Sequence, residues 1–200
     1  MMTEKEKMIA ELPFDSFVEE LINDRKHAQQ LMYEFNNLPP NSSDKGTALI
    51  KKLLGKTGTQ VLIEAPFRCD YGYNIEVGEN FYSNFGLTVL DGAKVIIGDN
   101  CLIGPNVNIF TAGHPVDPQL RNTYIEYSVG ITIGNSCWIG GGSVINPGVH
   151  IGSNVVIGSG SVVTKDIPDN VVAAGNPCRV IREISEYDKI YYYKDRPYNS

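Results

Sequence analysis

Aliphatic residues recur at every sixth position through most of this chain, set off from one another by small and polar residues. The clearest run is Ile133, Ile139, Ile145, Ile151, Ile157 and Val163, and Ile97, Ile103 and Ile109 fall on the same grid once the stretch between is counted. A period of six matches neither the 3.6-residue face of a helix nor the two-residue alternation of a flat strand, so it predicts a repeat solenoid. Gly follows the aliphatic residue at Gly98, Gly104, Gly134, Gly140, Gly152 and Gly158. The position four after the aliphatic residue is small or aliphatic: Cys101, Val107, Cys137, Ser143, Val149, Val155 and Ser161. Two strand residues and a tight corner per hexad, three hexads to a coil, build a triangular prism with the aliphatic side chains stacked inside. Asn100, Asn106 and Asn154 fall at corners, where positive φ costs Asn and Gly little. One coil cannot bury its own row. Each stacked aliphatic residue contributes about 1.5–3 kcal/mol when fully buried, so several coils must stack to offset chain entropy, and Val77 to Val163 is long enough.

The period breaks in two places. Between Val89 and Ile97 the step is eight, a two-residue bulge that resets the phase. Between Ile109 and Ile133 the hexads vanish while the spacing stays a multiple of six, which predicts an excursion loop from about 115 to 130, polar and rich in proline.

Helical spacing replaces the hexads at the N-terminus. Phe17, Leu21, the Ala28 to Leu31 region and Phe35 mark one helix, with Asp15 or Ser16 placed to cap it and LPPNSS to end it. Asp44 to Leu54 fits a second, stopped by Gly55 and Gly58. This divides the chain into a helical cap over 1–58, a β-helix over 59–178, and a short C-terminal helix and tail over 179–200, whose tyrosines are expected to pack against the body. The cap would cover an open end or flank of the solenoid.

Composition narrows the function. With 42% hydrophobic and 20% charged residues and a net charge of −6 without a basic cluster, the chain suits neither nucleic acid nor an anionic membrane as its main partner. The opening MMTEKEKMIAEL alternates charges and holds no apolar stretch of signal-peptide or membrane-span length, so a cytoplasmic location is expected. Cys69, Cys101, Cys137 and Cys178 are widely separated without metal-ligand spacing, and Cys101 and Cys137 occupy the small interior slot as buried thiols.

Three histidines remain. His27 sits beside Arg25 and Lys26, and His150 takes an outward slot of its hexad; both read as surface residues. His114, in TAGHP, stands at the root of the excursion, where it could be structural or could act as a general base, imidazole titrating near working pH. A three-imidazole metal site needs partners for His114 on adjoining coils, and neither other histidine supplies one, so no metal is expected. An ice-binding or scaffolding solenoid would carry flat Thr rows. Thr88, Thr111, Thr132 and Thr164 form none.

LMYEFN, PFRCDYGYNIEVGENFYSNF, GHPVDP, ITIGNSCWIGGGSVINPGV, VTKDIPDNVVAAGNPCRVIREI and YYYKD together resemble the maltose and galactoside O-acetyltransferases of the hexapeptide-repeat acyltransferase superfamily, over essentially the whole chain. The resemblance implies a left-handed parallel β-helix and a cytoplasmic homotrimer. It also implies acetyl transfer from acetyl-CoA to a sugar hydroxyl at sites between subunits. A non-sugar or amino-sugar acceptor, or a non-catalytic trimeric scaffold, are the rival readings. By the same resemblance His114 is the general base, Asn84 orients the acceptor hydroxyl, and Glu126 orients or charge-stabilises His114. Asp70, Tyr82 and Asp91 match the sugar site, as does Asp15, with Ser16 one residue away. Gly92 stands where the galactoside branch has the second of two acids, against galactoside specificity. Trp138, Gly141, Ser159, Thr164 and Lys165 match the groove for the pantetheine arm, with the Gly141 amide at the thioester carbonyl, and Arg179 and Arg182 match cations near the nucleotide phosphates. Read without the family, Trp138 packs on the loop and the arginines pair with Glu183 and Glu186.

Overall fold

The computed structural model describes residues 1–198 and is a parallel β-helix flanked by helices. Three parallel sheets form the sides of the prism. One stacks 61–63, 81–83, 102–103, 138–139, 156–157 and 171–174; a second stacks 68–69, 88–90, 108–110, 144–145 and 162–163; a third stacks 75–77, 95–97, 131–133 and 150–151. Register holds across the excursion: Ile97 pairs with Ile133 and Ile133 with Ile151, while Ile103, Ile139 and Ile157 align on the first side. The hexad isoleucines are buried, and so are Cys101, Val107, Cys137, Ser143, Val149, Val155 and Ser161, as the spacing predicts.

Corners carry a second repeat. Asn80, Asn100, Asn106, Asn154 and Asn170 all have positive φ, from +53 to +61°. Along one corner each coil's side chain accepts a backbone N–H from its neighbour: Glu79 from Thr59, Asp99 from Glu79, Asn135 from Asp99, Ser153 from Asn135 and Asp169 from Ser153. These acceptors satisfy amides that the turns would otherwise leave unpaired.

The helical cap has three helices. α1 (Glu4–Ile9) opens with a capping box between Thr3 and Glu6, a signal that sequence reading passed over. α2 (Glu19–Asn36) buries Leu21, Ala28, Leu31, Met32 and Phe35, and α3 (Ser43–Leu53) buries Ile50 and Leu53. Two expectations fail here. Val18 is the N-cap of α2 with no side-chain bond, and Phe17 precedes the helix, exposed, against Tyr124.

The excursion is an arm with its own structure. Strand 112–113 pairs antiparallel with strand 125–128, which pairs in turn with a two-residue strand, Phe14–Asp15, from the cap. A helical turn, α4 (Pro118–Arg121), capped by Asp117, fills its tip. At the C-terminus, Arg179–Glu183 is a strand, not the expected helix, because it folds back antiparallel on 171–174. Among the described residues the only helix there is the turn α5 (Tyr187–Ile190), and Tyr187, Tyr192, Tyr193 and Tyr198 are exposed instead of packed on the body.

Candidate active site

The arm creates the site. Gly113 must lack a side chain because the Tyr127 ring lies over it, with a Cβ there falling 2.6 Å from the ring. That close packing folds the arm back at its root and leaves His114, the next residue, exposed at the mouth of a cleft of about 360 Å³. Phe14, Ser16, Phe17, Arg25, Asp70, Tyr71, Gly92, Glu126 and Ser128 line the rest. A second opening of about 440 Å³, lined by Arg121, Asn122 and Tyr124, also includes His114, so this residue borders two spaces. The larger groove of about 470 Å³ under α3 carries Glu64 as its only titratable side chain and no histidine.

The cleft's polar wall is charged. Glu126 accepts a hydrogen bond from Ser16 Oγ at 2.8 Å. Arg25 donates from Nη1 to Tyr71 Oη at 2.8 Å and from Nη2 to the Ser16 carbonyl at 2.7 Å, with its guanidinium over the Tyr71 ring. Burial raises the Asp70 carboxyl to about 6; the like charge of Glu126 adds to this and Arg25 opposes it. Ser128 Oγ is buried against the Cα of Gly92, without a hydrogen-bond partner among the described residues.

The expected acceptor residues divide. Asp70, Glu126 and His114 share the cleft, and Glu126 bonds Ser16 instead of His114. Asp15 faces outward and accepts from the Phe17 amide, because strand alternation turns Phe14 and Ser16 inward; Ser16 is the residue that faces the cleft. Asp91 also departs from expectation. It is fully buried behind the cleft wall, and burial pushes its carboxyl up to about 7 while hydrogen bonds from backbone amides, Tyr71's foremost, oppose the rise. Arg25 was missed. Its signal was a cation four residues after Leu21 and three before Ala28, on the helix's apolar face.

Tyr82 and Asn84 lie outside this cleft, on the prism side that carries Trp138. There Leu62, Tyr82, Leu102, Trp138 and Val156 align across successive strands and point outward, and Leu62, Leu102 and Trp138 are about half exposed. Further along, Gly140 and Gly142 donate their amides to Ile157 and Pro105, whereas the Gly141 N–H makes no hydrogen bond among the described residues. Ser159, Thr164 and Lys165 are exposed on the following coil. Arg182 is held by the Asp188 carboxylate through both guanidinium nitrogens, at 2.8 and 2.6 Å, and by the Glu183 backbone carbonyl at 3.0 Å; among the described residues it meets neither the Glu183 nor the Glu186 carboxylate. Among the described residues Arg179 bonds only the Cys178 carbonyl.

A hexad prism under a helical cap, with a histidine-bearing arm at its side, defines a hexapeptide-repeat transferase. Models for the maltose acetyltransferase hexapeptide capping motif, the hexapeptide repeat of succinyl-transferase and the bacterial transferase hexapeptide match residues 7–58, 94–113 and 130–165. The chain is 52% identical to the galactoside O-acetyltransferase of Escherichia coli K12 over 91% of its own length and 90% of that protein's. Among solved structures it resembles a maltose O-acetyltransferase from Clostridium difficile 630 (51% identity, 92% and 99% of the two chains, TM-score 0.91). It also resembles a galactoside acetyltransferase in complex with coenzyme A (50% identity, all of both chains, TM-score 0.96). The chain belongs to the family of galactoside and maltose O-acetyltransferases.

Proposed function

We propose that this protein transfers acetyl from acetyl-CoA to a hydroxyl of a small sugar, by direct attack with His114 as general base. The observation that carries this is that His114 lines two openings, one of them walled by Asp70, Glu126, Ser16 and Arg25. Carboxylates and a hydroxyl converging on one cleft, with Ser16 and Glu126 bonded to each other, suit the recognition of sugar hydroxyls. His114 Nδ1 or Nε2 takes the hydroxyl proton as the oxygen attacks the thioester carbonyl, and the imidazolium returns it to the departing thiolate. Glu126, across the same cleft, favours the imidazolium. The Gly141 N–H, without a partner among the described residues, is suited to the oxyanion of the tetrahedral intermediate.

On this reading the working unit is a homotrimer with sites between subunits. The outward apolar column from Leu62 to Val156 is the kind of surface a second copy covers, and Asn84 on that side would complete the neighbour's acceptor site. Trp138, Ser159, Thr164 and Lys165 would line the pantetheine groove and Arg179 and Arg182 would meet the nucleotide phosphates; the coenzyme A bound to the similar galactoside acetyltransferase supports coenzyme A as the ligand. Four free cysteines suit a reducing cytoplasm.

The test is thiol release from acetyl-CoA across a panel of sugars, amino sugars, amines and amino acids. Turnover with neutral sugars that disappears in His114→Ala is expected. No turnover with any acceptor would leave the scaffold reading standing.

A further inference from the structure

Asp91 stands behind the acceptor cleft, yet its carboxylate reaches the backbone that forms it. The eight-residue step between Val89 and Ile97 makes a corner in which Asp91, Gly92 and Ala93 are all buried. Asp91 Oδ1 accepts the N–H groups of Asp70 (3.0 Å) and Tyr71 (2.9 Å), and Oδ2 that of Asn74 (3.4 Å). The Asn74 side-chain amide donates back to the Asp91 carbonyl at 2.8 Å. An acceptor shared by two successive amides fixes both peptide planes, and with them the direction in which the Asp70 side chain leaves the chain.

That direction matters because the Asp70 carboxylate has no hydrogen-bond partner of its own among the described residues. Its place in the cleft depends on the backbone beneath it. The other side of the corner is tied toward the base: Thr111 Oγ1 accepts the Ala93 N–H at 3.0 Å and donates to the Leu90 carbonyl at 2.7 Å, three residues before His114. One buried corner thus joins the turn that carries Asp70 to the strand that leads to His114.

We propose that Asp91 is a positioning residue for the acceptor, setting its affinity by holding Asp70 in the cleft without touching the sugar. The proposal rests on acetyl transfer at this cleft, and a double-mutant cycle tests it. Initial rates are measured for the wild type, Asp91→Asn, Asp70→Asn and the double variant, varying acetyl-CoA and, separately, the best acceptor of the panel. Asn keeps the shape and one carbonyl oxygen for the two amides but not the charge. Asp91→Asn is expected to raise the acceptor KM by about fivefold, with kcat and the acetyl-CoA KM changed by less than about twofold. In the Asp70→Asn background the same change adds nothing, because the residue it acts through is already lost.

Multiplied losses in the double variant, or equal rises in both KM values, would overturn the proposal, since a merely structural role moves both substrates alike. Should Asp91→Asn not fold, Asn74→Ala loosens the same corner and carries the same acceptor-selective expectation, with equal effects on the two substrates again the overturning result. A wild type that turns over no acceptor at all removes the acetyl-transfer reading itself, and this proposal with it.

Discussion

Replacing Asp70 by Asn should stabilise this protein at neutral pH while it weakens acceptor binding. The Asp70 carboxylate accepts no hydrogen bond among the described residues, so Asp70→Asn removes a charge and little else. Burial, with Glu126 adding and Arg25 opposing, lifts its pKa from 3.8 to about 6. A rise of about two units corresponds to about 3 kcal/mol between the two protonation states, an upper bound because the side chain is partly solvated and part of the cost is screened. We expect about 1–2 kcal/mol. The sign follows from linkage. A carboxyl whose pKa is raised on folding contributes its full stability below the unfolded pKa, and that contribution is lost as pH rises through the folded value. Thermal or urea unfolding of both proteins, at one protein concentration and at intervals from about pH 4 to pH 8, should show them nearly matched at the acid end. The gap should then widen in favour of Asp70→Asn through about pH 6 and level off above about pH 7. A gap independent of pH, or one that widens toward acid, would refute the reasoning. A stabilising change that impairs acceptor binding is the trade-off expected of a charge held at a functional site.

Other outcomes follow from the same structure. His114→Ala should lower kcat by at least about a hundredfold and leave coenzyme A affinity, measured by calorimetry, nearly unchanged; retention of most turnover would call for a different base. Arg179→Ala should weaken coenzyme A binding and flatten its dependence on salt, and affinity equal to wild type would remove this arginine from the phosphate site. Ile139→Ala, in the middle of a fully buried column, should cost about 2–5 kcal/mol of stability by denaturant unfolding, and a cost below about 1 kcal/mol would mean that the prism closes around the gap.

The rungs of the prism were legible in the chain because their cause is local. A buried aliphatic residue every six positions, a small residue four further on and Asn at the corners each answer a constraint met within one coil, and stacking repeats that constraint without changing it. Tertiary structure alone decided the cleft. Ser16 and Glu126 are 110 residues apart and meet only because strand 14–15 pairs with the outer strand of the arm. The burial of Asp91 depends on which amides the neighbouring coil presents to it. Arg179–Glu183 is likewise a strand because an edge lies beside it to pair with, whatever helical pattern its own residues suggest. Spacing along the chain encodes contacts that recur at a fixed interval; contacts made once, between segments with no shared period, leave no such mark and appear only when the chain has folded.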